Sequence, residues 1–64
     1  MNGQELKERR LKIGLTQLGL AHLLGVKENE LYFWESGRRP IPKEIESAFE
    51  KIEVRLNKAQ TDAE

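Results

Sequence analysis

Few side chains in this chain could do chemistry, and their types point to binding rather than turnover. His22 is the single histidine and cysteine is absent, which excludes disulfides, thiol nucleophiles and a zinc site. No second histidine and no paired acids stand with His22 to form an acid–base constellation. The chain therefore reads as a non-enzyme without metal or cofactor, and His22 as an exposed or lightly packed helix residue. What remains is charge. The 11 Lys/Arg and 11 Asp/Glu cancel to a formal charge of zero, but they are unevenly spread. Up to residue 40, Lys7, Arg9, Arg10, Lys12, Lys27, Arg38 and Arg39 outnumber Glu5, Glu8, Glu28, Glu30 and Glu35; beyond it acids prevail. The neighbouring Arg38 and Arg39 suit phosphate neutralisation, and the asymmetry permits a DNA-facing surface without establishing one.

Short helices must position these groups. A chain of 64 residues buries only roughly 60% of its unfolded surface, so its core has to be economical and a partner subunit would help. Asn2 followed by Glu5 has capping-box spacing, with Asn in place of Ser or Thr. Leu6, Arg10 and Ile13 share one face and Gly14 ends the segment, which predicts a helix over residues 3–13. Thr16 is a good N-cap for a second helix with Leu20, Ala21 and Leu24 inward, stopped at Gly25. A third helix over residues 27–36 turns Leu31 and Trp34 inward, with Gly37 as left-handed C-cap. Arg38, Arg39, Pro40, Ile41 and Pro42 form a stiff linker, and Pro42 suits the first turn of a final helix. There Ile45, Phe49, Ile52, Leu56 and Ala59 recur in a heptad-like stripe, supplemented by Ala48, over a helix of about 27 Å. Repeats, low-complexity tracts and strand-like alternation are absent. The expected fold is all-α, with four or five helices and a long C-terminal one. A single domain spans residues 1–59, and the polar tail 60–64 frays.

The turn at Gly25 and Val26 carries the functional signal. A turn this short makes two helices cross steeply, so small residues must sit where their backbones approach. Ala21 is small there, Gly25 supplies the unusual backbone angle, and Leu31 closes the wedge. Those positions meet the helix-turn-helix requirement over residues 16–36 and project the start of the third helix outward, where it can enter a major groove about 12 Å wide. The stretches Gly14, Leu15, Thr16, Gln17, then Leu20, Ala21, His22, Leu23, Leu24, Gly25, Val26, then Trp34, Glu35, Ser36, Gly37, Arg38 resemble the lambdoid repressor and Cro (XRE-type) class of helix-turn-helix proteins. The resemblance covers roughly residues 5–42. The ending from Trp34 to Pro40, with Pro42 beyond, is also similar to some small phage regulators, including anti-CRISPR-associated repressors.

The resemblance implies roles position by position. Gln17, in the first turn of the second helix, matches a phosphate contact made by side chain and backbone N–H, where a helix N-terminus favours an anion. Arg10 and Glu35 match a family ion pair joining the first helix to the end of the third, which makes Arg10 a strut. Glu28, Asn29 and Tyr32 match base-reading positions, and Phe33 one used for base or backbone contact; Phe33 has the alternative of covering the junction with the last helix. Lys27, Arg38, Arg39 and Lys43 would lie along phosphates.

Two departures stand out. Lys27 replaces the usual Ser or Thr N-cap, and the third helix opens with Glu28 and Glu30, which suit the helix dipole but face a polyanion. Glu30 reads as a solvated dipole partner; Glu28 has the alternative of accepting from a cytosine amino group. Asn29 can address adenine, and Tyr32 and Phe33 can pack on thymine methyls. Leu11 and Leu18 are apolar at positions that should be exposed. The distal part of the last helix outruns the body it covers, so Ile52, Leu56 and Ala59 can pair with a second subunit.

The expected function is a sequence-specific transcriptional regulator, a repressor or autorepressor binding a partly palindromic operator in double-stranded DNA as a homodimer. Two rivals share the motif: an antitoxin-type autoregulator, and a protein-interaction module that keeps the fold without using DNA, which zero charge and an acidic recognition helix favour. No apolar run approaches the roughly 20 residues that span a bilayer, and Met1 to Glu5 lack a signal-peptide core. A cytoplasmic protein without membrane contact is expected.

Overall fold

The capping residues set where the helices begin and end. The computed structural model describes the backbone of residues 1–62 and the side chains of residues 1–57. Within it lie α1 (Gly3–Lys12), α2 (Gln17–Leu24), α3 (Glu28–Glu35) and α4 (Lys43–Asp62), with no strand among the described residues. Asn2 Oδ1 accepts the Glu5 N–H at 2.7 Å, and Thr16 Oγ1 accepts that of Gly19 at 3.0 Å; each satisfies an orphan donor of a first turn. Lys27, at the N-cap of α3, makes no such bond. Gly25, at φ 74°, ends α2 in a left-handed conformation that disfavours a side chain. Pro42 stands just before α4 rather than inside its first turn, and its carbonyl accepts from Ile45 and Glu46 at 3.0 and 3.1 Å. α4 runs on past Ala59 to Asp62. The side chains of Ala59 and of the tail lie outside the described residues.

Each helix contributes one fully buried large side chain: Leu6, Leu20, Leu31 and Phe49. Ala21 and Trp34 complete the centre. Met1, Ile13, Leu15, Leu24, Val26, Ile41, Ile45 and Ile52 close it from the sides, half-buried. The helical periodicity put most of these residues inward, so the apolar pattern and the packing agree. Leu11 and Leu18 are exposed, as are Leu23 and Val54. Ile52 belongs to the shell around the core, and Leu56 is half-buried.

α3 packs against both α1 and α2, and α4 against α2. The α1–α3 contact depends on Gly3. A Cβ there would lie 2.3 Å from the Trp34 carbonyl oxygen and 2.6 Å from that of Glu35, so the first turn of α1 meets the end of α3 backbone to backbone. α4 is also clasped to α1. Arg9 Nε donates to Glu53 Oε2 at 2.9 Å, its Nη2 donates to Oε1, and its guanidinium lies 5.4 Å from the Phe49 ring centroid. The hydrogen bond to Glu53 holds the Arg9 pKa above its ordinary value.

Gly3→Ala is expected to destabilise the domain by about 1–3 kcal/mol, the range for forcing extra atoms into a packed contact. A lower urea midpoint at unchanged denaturant slope would report it.

Candidate nucleic-acid interface

The turn between α2 and α3 aims the latter. Val26 N–H bonds the Ala21 carbonyl at 3.0 Å and Gly25 N–H that of His22 at 3.3 Å, which closes α2 and redirects the chain at once. Ala21 is buried at the contact, and Leu31 fills the angle between the helices. With Leu31, Trp34 and Glu35 inward, a helix of 3.6 residues per turn carries Asn29 and Phe33 on the opposite side and Glu28 and Tyr32 on one flank. Glu28, Asn29 and Tyr32 are exposed, and Phe33 is half-buried. The flank borders α2, because Glu28 and Tyr32 each share a surface groove with Gln17. Glu28 and Glu30 occupy the first turn of α3, where the N-terminal dipole favours negative charge.

Behind the outward surface lies a buried polar network. Arg10 Nε and Nη2 donate to the two carboxylate oxygens of Glu35 at 2.7 and 3.2 Å, a bidentate pair with both side chains under 8% exposed. Arg10 Nη1 donates to the Leu15 carbonyl at 2.8 Å. Glu35 Oε1 also accepts from Gln17 Nε2 at 3.0 Å. One carboxylate thus joins α1, the entry to α2 and the end of α3. Sequence reasoning placed Gln17 on phosphate alone and missed this second partner. One amide N–H of Gln17 is committed to Glu35, and in the first turn of α2 the Gly19 N–H is taken by Thr16 Oγ1.

Lys27, Arg38, Arg39 and Lys43 are all exposed. Gly37, at φ 81°, folds the chain back so that the N–H groups of Arg38 and Arg39 both reach the Phe33 carbonyl, at 3.0 and 3.3 Å. The Arg38 guanidinium then lies 5.9 Å from the Tyr32 ring centroid and that of Arg39 5.0 Å from the Phe33 ring centroid, with the two rings 5.9 Å apart. Phe33 is absent from the residues packed on the core; Arg39 covers its ring instead. These stacks were not anticipated, although a left-handed glycine between aromatic and basic pairs is the signal that would suggest them.

His22 is exposed on α2. Among the described residues no group of three or more His, Cys, Asp or Glu side chains could hold a metal ion, and no helix is long and apolar enough to cross a membrane.

The model of a helix-turn-helix family matches residues 6–57, most of the chain. No curated protein and no solved structure matches it.

Glu35→Ala would leave the Arg10 guanidinium buried without its carboxylate, and is expected to lower stability by about 3–5 kcal/mol. An Arg10→Met/Glu35→Leu double variant should recover much of that loss, because an apolar pair needs no desolvated charge. Chemical denaturation of the single and double variants measures both effects.

Proposed function

The chain belongs to the repressor and Cro-like (XRE-type) helix-turn-helix family, a class of DNA-binding regulators, and from that premise we propose that it is a repressor or autorepressor that binds a partly palindromic operator as a homodimer. The observation that carries this reading is the outward surface of α3. Glu28, Asn29 and Tyr32 stand exposed on it, the α2 N-terminus with Gln17 borders one side, and the exposed cations Arg38, Arg39 and Lys43 follow its end. In this reading Gln17, Lys27, Lys43 and the arginines position the protein on phosphates, while Glu28, Asn29, Tyr32 and Phe33 address the bases. Asn29 is suited to adenine, and Glu28 to a cytosine amino group. Repression follows from occupying a promoter, with no cofactor.

In the proposed dimer two copies of α3 enter successive major grooves about 34 Å apart. The sequence assigned pairing to Ile52, Leu56 and Ala59. Ile52 already packs against its own core, so Leu56, half-buried, is the better probe. One observation favours a second reading: Glu28 is exposed at the leading turn of α3 and has no basic partner among the described residues, which suits a protein-interaction module.

Selection from random duplex DNA, followed by footprinting and a salt titration, decides between the two. A regulator should enrich a two-fold sequence and lose affinity steeply with salt. Arg38→Ala and Lys43→Ala should each flatten the log–log slope by about one, uniformly across sequences. An interaction module would show no sequence-dependent binding even at low salt. Leu56→Asp should move the sedimenting species towards monomer and weaken operator binding while far-UV circular dichroism stays helical; unchanged sedimentation would remove α4 from the interface.

A further inference from the structure

Building on the DNA-reading role proposed above, we infer that Arg39 is a base-reading residue, its guanidinium laid on Phe33 so that its N–H edge meets the O6 and N7 acceptors of a guanine. The family resemblance assigns Arg39 to phosphate and Phe33 to base or backbone contact. The geometry divides the work differently. Arg39 donates its backbone N–H to the Phe33 carbonyl at 3.3 Å, and its Cζ lies 5.0 Å from the Phe33 ring centroid. The side chain leaves the end of α3 and folds back along it, tied at both ends to the same residue. Phe33 shares with Asn29 the row of α3 opposite buried Leu31, so the guanidinium rides on the side of the helix that would face the floor of a groove. A phosphate ligand has to extend towards the rim; this one is drawn inward.

The ring restrains the guanidinium from one side and leaves its N–H donors unengaged. A guanidinium is planar and carries its N–H donors in a rigid fork. Arg9 and Arg10 use their forks on Glu53 and Glu35, whereas among the described residues no acceptor takes the side-chain donors of Arg39. A free fork held beside Phe33 matches two acceptors on one base edge, and the guanine O6/N7 pair is that arrangement in the major groove. Holding the side chain in place beforehand also lowers the entropy lost on binding. Phe33 is then the platform for Arg39 rather than a contact to a thymine methyl. Arg38 differs, because its guanidinium lies over Tyr32, which shares a groove with Gln17, a residue proposed for phosphate.

The test compares sequence selection and salt-dependent affinity for the wild type, Arg39→Ala, Arg39→Lys and Arg38→Ala, all at exposed positions. Arg39→Ala should erase the preference for one G·C pair per half-site, reducing a discrimination of about tenfold or more to near none. Arg39→Lys should lose the same preference although the charge is kept. Substituting 7-deazaguanine at that position removes the N7 acceptor; it should weaken the wild type and leave Arg39→Ala unaffected. If Arg39→Ala instead weakens all sequences alike, flattens the salt slope by about one and keeps every base preference, the inference is overturned and the DNA-reading role stands. Wild-type protein that selects no sequence would overturn both.

Discussion

Arg10 and Glu35 bring two full charges into the interior of a very small domain, and the arrangement of the helices follows from how those charges are satisfied. Taking such groups out of water costs several kcal/mol per ion, and attraction compensates only when the geometry is good and the remaining donors and acceptors are engaged. Here Glu35 faces the guanidinium with both oxygens, the Leu15 carbonyl takes a further donor, and Gln17 adds a bond to Oε1. No buried polar side-chain atom among the described residues lacks a partner. Meeting all these conditions requires α1, the entry to α2 and the end of α3 to adopt one relative placement. The apolar core alone is less exacting, because burial is non-directional. Gly3 supports the same placement by letting the first turn of α1 reach the carbonyls of Trp34 and Glu35.

The network also ties stability to the surface that would meet DNA. Glu35 is held from behind by Arg10 and in turn holds the amide of Gln17, at the N-terminus of a helix where anions are favoured. Tyr32 lies beside the same groove. The groups that keep the fold in register therefore also orient Gln17 at its edge.

How much was legible in the sequence depended on the range of the interaction. Local signals served well: the caps at Asn2 and Thr16, the left-handed glycines at 25 and 37, and the inward periodicity of Leu20, Leu31 and Phe49 all reappear in the structure. The resemblance pairs Arg10 with Glu35, and the two side chains do meet. Contacts between residues remote in sequence left no periodic trace. The Arg9–Glu53 clasp spans two helices 44 positions apart, Gln17 reaches Glu35 across the motif, and Gly3 resembles any glycine near a helix start until the backbone of α3 is placed against it. The stacking of Arg38 and Arg39 was hidden for a different reason. Charge pattern suggests cations reaching towards solvent, whereas the reversal at Gly37 returns them to the rings of α3.

The carboxylates at the leading turn of α3 have a consequence for search as well as for fit. General attraction to duplex DNA comes from cations that release counterions from the phosphates, and this chain carries no net excess of them. Glu28, exposed at the first turn of α3, would add repulsion in a groove that offered it no donor. Residence on random duplex would then be brief, and occupancy in a genome crowded with competing sites would depend on the ratio between right and wrong sequence rather than on raw adhesion. In the proposed role, a weakly adhesive protein would gain selectivity by letting go quickly.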